Sequence, residues 1–430
     1  MSLSLPAPPL ADAPILVGYS GGLDSTVLLH QLANDVDARA RGLRAIHVHH
    51  GLNPDADAWA TQCVRACGLL DVPLLVVHVQ VERGSGLGLE GAARAARHRA
   101  FNDALRDREI LALAHHRDDQ AETFLLRALR GSGVDGLASM RPWRAYARGW
   151  LWRPLLDHPR DALRTCATEH ALQWIEDPAN ADLSFDRMFL RNRLLPLLRE
   201  RWPHAGGGLA RSADLSAQAA DLLAAEDVVD LARVQRSNRT LDADALQTLP
   251  NARRARVLRR WIAELGLPPL PGQGVTRIET DLLAARRDAE ACFEWAGARV
   301  LRWRHLLYAA PACEALPHDF SCEWDGRAPL QLPTGDLLEL AGAVAFETCV
   351  WVHARHGGER IALPGRSHRH ALKQLLQVQG VPPWEREHMP LLSATDGELL
   401  AAGDAIVSAR LDTWLRDRGA RLHWRREAMA

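Results

Sequence analysis

The chain has 430 residues, with 52 basic and 53 acidic side chains and a formal net charge of −1. One hydrophobic core rarely exceeds about 250–300 residues, so this length predicts two or three domains. Hydrophobic residues make up 47% and charged residues 24%, a globular composition that excludes a wholly disordered or fibrous chain. The near-zero charge excludes a polycationic nucleic-acid binder of the histone type, but it leaves room for local basic patches.

The compartment follows from what the sequence lacks. Met1–Pro14 has no basic segment followed by an apolar run, so no secretory signal is predicted. No run approaches the roughly 18 apolar residues of a transmembrane helix. The seven cysteines are odd in number and contain no C-x-x-C pair, which fits a reducing environment. We therefore expect a cytoplasmic protein.

The first part of the chain alternates short apolar runs with helical periodicity. The predicted strands are Ile15–Tyr19, Leu43–His49, Leu74–Val79 and Ile110–Ala114, and the predicted helices are Asp24–Asn34, Asp55–Leu70, Leu89–Arg106 and Asp119–Leu129. This alternation predicts an α/β domain, in which a parallel sheet has helices on both faces. Ligands of such sheets bind beyond the carboxyl ends of the strands, so functional residues are expected directly after strands.

The remaining chain predicts two smaller domains. Gly206-Gly207-Gly208 interrupts the sequence, and the composition then turns to Ala, Leu and Arg without strand signals until about Glu264, which predicts a helical domain. Leu337–Val352 and Leu399–Val407 are short and β-branched or alternating, as in a small α+β domain. The predicted domains are residues 1–205, 206–310 and 311–430.

Three short windows are basic although the chain is neutral. They are Arg127–Arg153, Arg253–Arg260 and Arg355–Lys373. Two interpretations stay open for each window: a solvated protein face, and contact with a structured RNA that is read by its shape.

A glycine-rich loop follows the first predicted strand and opens a helix: Ser20-Gly21-Gly22-Leu23-Asp24-Ser25. Paired glycines allow positive φ and present N–H groups to an anion, and the helix N-terminus adds partial positive charge. The Walker signature is absent, and Lys373 is the only lysine in the chain. The loop therefore predicts a pyrophosphate site that suits attack at the α-phosphate of ATP. Ser20 and Ser25 would be donors and Asp24 a Mg²⁺ ligand, and a capped tight turn is the alternative.

The loop resembles the signature of the PP-loop, or N-type, ATP pyrophosphatases, which activate a carbonyl oxygen as an adenylate. Further segments narrow the resemblance to the tRNA(Ile)-lysidine synthetase family, over about residues 14–410. These segments are Ala45–Leu52, Leu113–Thr123, Arg130–Gly133, Arg153–Leu156, Trp174–Asn180 and Gly380–Arg386.

The resemblance implies a Rossmann-like N-terminal domain of the adenine nucleotide alpha hydrolase type, a helical tRNA-binding domain and an α+β tRNA-recognition domain. It implies a ligase that joins the ε-nitrogen of L-lysine to C2 of the wobble cytidine of tRNA(Ile) with a CAU anticodon. The reaction would pass through an adenylated cytidine and give lysidine, AMP and pyrophosphate, so that the tRNA reads AUA instead of AUG and changes identity from Met to Ile. The implied partners are this tRNA, L-lysine, ATP and Mg²⁺, without a membrane and with a homodimer as an option.

The resemblance also assigns site residues. The matching residues are His115, Asp119, Glu122, Arg94, Arg97, Asn180 and Arg191. His115, Asp119 and Glu122 match catalytic and lysine-binding positions of the family. Arg94 and Arg97 match its A-A-R-x-x-R segment, and Asn180 and Arg191 match residues that lie near the substrates. From the residues alone, Asp119 and Glu122 lie i, i+3 on one helix face. They could bind Mg²⁺, hold an ammonium group, or accept a proton from an attacking amine.

Two positions depart from the family pattern. His98 stands where relatives commonly carry Tyr, and His368 and His370 lie in a run that is often rich in lysine. Histidine is largely uncharged at pH 7, so we expect tRNA contact from this run to be weaker or more dependent on pH.

Three other functions share parts of the pattern. Thiolation of tRNA uses the same loop but needs persulfide or cluster chemistry, and no C-x-x-C occurs. Ligation of a small molecule needs no RNA-binding domains, whereas about 220 residues follow Gly208. The third is an RNA-binding module that uses ATP without modifying its partner. Incorporation of labelled lysine into tRNA separates all three from lysidine synthesis.

Overall fold

The computed structural model describes residues 3–82, 88–178, 182–286, 291–312, 315–366 and 368–426. The chain divides into two compact units, Met1–Ala224 and Ala225–Ala430. Within the described ranges, no helix combines the length and the apolar character needed to span a membrane.

The first unit contains a mainly parallel sheet. Its strands are β1 (Ile15–Gly18), β2 (Leu43–His49), β3 (Leu74–His78), β4 (Ile110–Ala112), β5 (Trp143–Tyr146) and β6 (Gly149–Trp152). Their order is β3-β2-β1-β4-β6-β5, and neighbouring strands are parallel except in the β5–β6 hairpin. The order reverses direction between β1 and β4, and this is the position at which open α/β sheets bind ligands.

Helices cover both faces of this sheet. They are α1 (Leu23–Ala33), α2 (Val36–Arg41), α3 (Ala56–Leu69), α4 (Gly88–Ala104), α5 (Arg117–Leu129), α6 (Val134–Leu137), α7 (Arg160–Glu169), α8 (Asp186–Phe189) and α9 (Leu195–Arg201), with a π-helical stretch at Leu190–Leu194. On β1, Ile15 and Val17 belong to one hydrophobic core and Leu16 to another, and all three are fully buried. Burial on both faces explains why the strands are continuously apolar.

The predictions for this unit agree with the structure. Each of the four predicted strands and four predicted helices is present, with ends shifted by at most two residues. The α/β class with a parallel sheet is confirmed. The sequence interpretation did not name α2, the helices α6 to α9 or the β5–β6 hairpin. The two strands of the hairpin are only four residues long and lie in a basic window.

The second unit begins within a long helix, α10 (Ala205–Val234), that crosses the division between the units. It continues with β7 (Gln235–Ser237), β8 (Thr240–Asp242), α11 (Ala243–Gln247), α12 (Asn251–Glu264), α13 (Gly272–Arg277), a π-helical stretch (Ile278–Leu283), β9 (Ala291–Trp295), β10 (Ala298–Trp303) and β11 (Leu306–Pro311). The predicted helices are present. The prediction missed an antiparallel sheet of order β7-β8-β11-β10-β9, whose strands are short.

The C-terminal part of this unit is α+β, as predicted. Its elements are β12 (Ser321–Trp324), β13 (Leu330–Gln331), β14 (Leu337–Ala341), β15 (Val350–His353), β16 (Arg360–Ala362), β17 (Arg369–Ala371), α14 (Leu372–Val378), α15 (Pro383–Arg386), β18 (Leu391–Ser393), β19 (Leu399–Ala402), β20 (Ile406–Val407), α16 (Ala409–Asp417) and β21 (Arg421–Arg425). One sheet has the order β12-β15-β18-β19-β16-β17, with β20 beside β19, and a smaller one has the order β13-β14-β21.

Candidate active site

The Ser20–Ser25 loop joins β1 to α1 and is closed by its own hydrogen bonds. The Ser20 N–H donates to Ser25 Oγ over 3.2 Å, and Ser25 Oγ donates to the Gly22 carbonyl over 3.1 Å. Gly21 has a φ of +83°, and a Cβ there would lie 2.5 Å from Ile175 Cδ1, so only glycine fits. Gly22 caps α1 without a side chain, which leaves the first N–H groups of the helix available to an anion.

The loop forms one wall of a cavity of 560 Å³ beyond the carboxyl ends of β1, β2 and β4. The predicted residues that line it are Ser20, Gly22, Asp24, Ser25, Arg94, Arg97, His115, Asp119 and Arg191. Gly21 instead backs onto Ile175, and the Leu23 side chain is buried in the core. Asn180 lies outside the described residues.

A second cavity of 820 Å³ lies on the other side of the loop. It shares Ser20, Gly22, Asp24 and Arg191 with the first cavity. Its further lining residues include Arg160, Arg164, Trp174 and Arg193. Asp24 and Arg191 can therefore meet ligands that approach from either cavity.

Asp24 contacts a buried histidine at the start of α5. Its Oδ2 lies 3.5 Å from His116 Nε2, whereas its buried Oδ1 has no hydrogen-bond partner and lies 3.7 Å from Arg160 Nε. Burial lowers the pKa of His116, but the nearby carboxylates of Asp24 and Asp119 outweigh it and raise that pKa above its ordinary value. His116 also caps α5, accepting from the Asp119 N–H.

Asp119 and Glu122 are held by two arginines of the following helical segment. Arg191 donates to Asp119 Oδ1 over 2.7 Å and to Glu122 Oε1 over 2.6 Å, and Arg187 donates to Glu122 Oε2 over 2.9 Å. Burial opposes the charge of Asp119, but His116, His115 and the two arginines lower its pKa to about 2. Glu122 is fully buried and supports the arginines instead of lining the cavity.

A second set of arginines faces the cavity without carboxylate partners. It consists of Arg94, Arg97, Arg144 and Arg153, and among the described residues no carboxylate forms an ion pair with them. Burial, reinforced by neighbouring arginines, lowers the pKa values of Arg94 and Arg97 and lowers that of Arg153 to about 10. Positive charge without carboxylate partners on one wall suits the cavity to a polyanion.

Several of these residues escaped the sequence interpretation. Arg187 precedes Arg191 by four residues, so the two share a helix face, and this spacing was an available signal. Arg144 lies on β5 and Arg153 follows β6. Neither strand was predicted, so the sequence offered no reason to place these two arginines at the edge of the sheet. Arg160 starts α7 and had no distinguishing pattern.

The two basic windows of the second unit differ in their surroundings. In Arg253–Arg260 most of the guanidiniums pair with acids, and Arg256 donates three hydrogen bonds to the buried Asp227. In Arg355–Lys373, Arg355 pairs with Glu359, whereas Arg366, Arg369 and Lys373 are exposed and form no ion pair within the described part of the chain. Among the described residues, the second window therefore has these three exposed cations without a carboxylate partner, whereas the first has Arg259.

Three segments of the chain match models of known protein families. A PP-loop domain matches residues 4–198, a TilS substrate binding domain matches residues 241–308, and a TilS substrate C-terminal domain matches residues 350–424. Each match falls inside one of the three predicted domains.

Relatives named tRNA(Ile)-lysidine synthase match the chain over nearly its whole length. The protein of Xanthomonas axonopodis pv. citri (strain 306) is 53% identical over 428 residues, which cover 99% of this chain and 97% of the relative. The protein of Xylella fastidiosa (strain Temecula1) is 52% identical, covering 99% and 98%, and that of Serratia proteamaculans (strain 568) is 40% identical, covering 97% of each.

Two solved structures show weaker likenesses. The U34-tRNA thiolase NcsA from Methanococcus maripaludis has 18% identity and a TM-score of 0.39, over 48% of this chain and 72% of that one. A TilS C-terminal domain has 21% identity and a TM-score of 0.21, over 25% of this chain and 97% of that one. The full-length identities decide the assignment: the chain belongs to the tRNA(Ile)-lysidine synthase family.

Proposed function

We propose that this protein ligates L-lysine to C2 of the wobble cytidine of tRNA(Ile) with a CAU anticodon, using ATP. The observation that carries the proposal is the cavity in which the Ser20–Ser25 loop faces arginines without carboxylate partners. Such a site suits a triphosphate beside an RNA nucleotide. Two cavities that meet at Asp24 also suit a reaction with more than one substrate.

In the first step the O2 oxygen of the cytidine attacks the α-phosphorus of ATP, and pyrophosphate leaves. The loop N–H groups, Ser20 and Ser25 hold the pyrophosphate, and Arg94 and Arg97 offset the negative charge that develops. The O2–P bond forms as the bond from the α-phosphorus to pyrophosphate breaks, which gives an adenylated cytidine. Guanidinium groups fixed on the cavity wall stabilise this charge more strongly than water, which must reorient to do so.

Mg²⁺ fits this site as a partner of ATP. The Asp24 carboxylate has a buried oxygen without a hydrogen-bond partner beside the loop. Among the described residues, no group of three His, Cys, Asp or Glu side chains could hold a metal alone. Mg²⁺ is commonly held by one or two carboxylates together with substrate phosphates, so Asp24 would be its protein ligand. The ion would neutralise phosphate charge.

In the second step the ε-ammonium group of lysine gives one proton to water, and the resulting amine attacks C2. The C2–O2 bond breaks so that AMP leaves with that oxygen, and the second nitrogen proton passes to the departing phosphate. Asp119 lines the cavity, and its low pKa keeps the carboxylate ionised. An ionised carboxylate suits holding the lysine ammonium group, although a carboxylate with so low a pKa is a weak proton acceptor. Of the three roles that the sequence left open, we assign this one to Asp119. Glu122 instead fixes Arg187 and Arg191.

The remaining parts of the proposal concern partners and organisation. The middle and C-terminal domains, residues 206–310 and 311–430, would hold the tRNA, and residues 1–205 would catalyse the reaction. We also propose a cytoplasmic location and keep a homodimer as an option.

Incorporation of [14C]lysine into an unmodified tRNA(Ile) transcript with ATP tests the function. We expect incorporation into the transcript with cytidine at the wobble position, and none into a transcript with uridine there. Asp24→Ala should abolish tRNA-dependent AMP release, because the carboxylate beside the phosphates is gone. Absence of lysine incorporation by the unaltered protein would exclude lysidine synthesis, and normal AMP release by Asp24→Ala would exclude the role of this residue.

A further inference from the structure

Arg153 and His115 make an unusual contact on the cavity wall. His115 follows β4 and Arg153 follows β6, and these two strands are neighbours in the sheet. Arg153 Nε donates to His115 Nδ1 over 3.2 Å, and Arg153 Nη1 donates to the Arg141 carbonyl over 2.6 Å. Only 7% of Arg153 is exposed, so water does not compete strongly for these bonds.

This contact determines which nitrogen of His115 carries the proton. A guanidinium has five N–H donors, no acceptor, and a charge that it keeps throughout the physiological range. The Nδ1 atom that it faces must therefore be the nitrogen with the free lone pair. A neutral imidazole has one N–H, so that proton is on Nε2.

The charged form of His115 is disfavoured by the same surroundings. An imidazolium would place an N–H of His115 against the N–H of Arg153 and add a positive charge near Arg94 and Arg187. Burial and these three arginines lower the pKa of His115 to about 3, although Asp119 acts in the opposite direction. Among the described residues, Nε2 has no protein hydrogen-bond partner, and His115 lines the cavity.

We propose that Arg153 is a positioning residue that holds His115 in the Nε2–H tautomer, so that His115 acts in the cavity as a neutral hydrogen-bond donor and not as a general base. The identity of the acceptor rests on the proposed function: it is an oxygen that gains negative charge, on the α-phosphate or at O2 of the cytidine. The tautomer itself does not depend on that function.

NMR of the full-length protein labelled with 15N-histidine reads the tautomer directly, because protonated and unprotonated ring nitrogens differ in chemical shift. The His115 signals are identified by their loss in His115→Gln. We expect a protonated Nε2 and an unprotonated Nδ1 from pH 6 to pH 8. In Arg153→Met the single tautomer should be lost, whereas Arg153→Lys, which retains a donor, should keep it. Arg144→Met, which removes another arginine of the cavity that does not bond His115, should leave these signals unchanged.

Single-turnover rates of lysine incorporation test the role of the donor. A glutamine amide can place an N–H near the position of Nε2 but cannot accept a proton as a base. We therefore expect His115→Gln to keep most of the rate, and His115→Ala to lose about 10²-fold, as when a donor to a developing oxyanion is removed. Equal loss in both variants would overturn the donor role.

The spectroscopic result decides the positioning role by itself. A protonated Nδ1 or an imidazolium in the unaltered protein, or an unchanged tautomer in folded Arg153→Met, would overturn it. If Arg153→Met does not fold, the unaltered protein still shows whether the tautomer is Nε2–H, and loss of that tautomer in Arg153→Lys would overturn the positioning role. Because these spectra need no substrate, a failure of the proposed function would leave the result readable.

Discussion

The arginines of α12 and the arginines of the cavity have opposite surroundings. On α12, Arg256 binds Asp227 through three hydrogen bonds, and Arg253 binds Asp230 over 2.5 Å. In the cavity, Arg97 and Arg153 form no ion pair with a carboxylate of the described residues. Burial and nearby arginines, Arg94 in both cases, lower their pKa values. We therefore expect the first group to stabilise the fold and the second group to destabilise it.

This difference shows that the density of basic residues in a sequence window is a poor guide to free charge. The acids that pair with Arg253 and Arg256 lie on α10, 23 to 29 residues earlier, and the partner of Arg254 is Glu279, 25 residues later. The window is therefore basic in sequence but largely neutralised in the fold. The free charge of the cavity comes from α4, β5 and the end of β6, which are distant in sequence. An uncompensated cluster of this kind reduces stability unless an anion binds, so it points to function.

Loss of a buried carboxylate that pairs with cavity arginines should have the largest effect. Glu122→Ala removes the fully buried carboxylate that Arg187 and Arg191 share, and breaking a buried pair typically costs about 3–5 kcal/mol. Denaturant unfolding should show this loss in the free energy of unfolding, together with loss of lysine incorporation. Glu122→Gln, which keeps the shape and an acceptor oxygen, is the matched control and should lose less. Equal stability of Glu122→Ala and the unaltered protein would contradict the supporting role.

On α12 the prediction is a loss of stability without a loss of RNA binding. Arg256→Gln leaves the buried Asp227 without its bidentate partner, which should lower the free energy of unfolding by about 1–3 kcal/mol. Its affinity for tRNA, measured by electrophoretic titration, should not change. A weaker affinity for tRNA in a fully folded Arg256→Gln variant would show that the window Arg253–Arg260 contacts RNA after all.

In the cavity the expected pattern is reversed. Arg97→Gln removes a guanidinium that neighbouring arginines repel, so the free energy of unfolding should stay the same or rise. The affinity for ATP should fall by about tenfold, or about 1.4 kcal/mol. Equilibrium dialysis with labelled ATP measures this change. Arg99→Gln is the matched control, because Arg99 lies on the same helix and its partner is Glu82. A fall in stability with unchanged ATP binding would place Arg97 in the structural group.

The sequence predicted most of the elements of the first unit, and it named several residues that line the cavity but not how they pair. β1, β2 and α1 are buried on both faces, so apolar periodicity alone located them, and the Ser20–Ser25 loop follows β1 as expected. The resemblance located Arg191, but the sequence did not show that Arg187 joins it on Glu122. Pairing of this kind depends on which side chains meet in space.

The errors have a common physical origin. Strands of three to six residues such as β7, β8 and β10 are stabilised by cross-strand pairing with distant segments, and so a short window does not reveal them. The same holds for Arg153, whose importance comes from the neighbouring strand that carries His115. The roles assigned to the site residues and the three domain boundaries stay predictions.

The smallest effect is expected from His368 and His370, through the pH dependence of the affinity for tRNA. His368 is exposed, and His370 lies on β17, beside the free cations Arg366, Arg369 and Lys373. The nearby Glu359 is already engaged, since it accepts hydrogen bonds from the N–H groups of His356 and Gly357 and pairs with Arg355. This carboxylate therefore does not compete with RNA phosphates for contact with His368 and His370.

Electrophoretic titration of tRNA at pH 6 and pH 8 measures this contribution. The unaltered protein should bind more tightly at pH 6, with a salt slope steeper by up to about 2, one for each histidine that neutralises a phosphate. The double variant His368→Asn, His370→Asn should bind as the unaltered protein does at pH 8 and should not strengthen at pH 6. Since asparagine keeps the polar contact but cannot be charged, an equal gain at pH 6 in both proteins would assign the pH effect to other groups. This window would then bind RNA through its arginines and Lys373 and not through the two histidines.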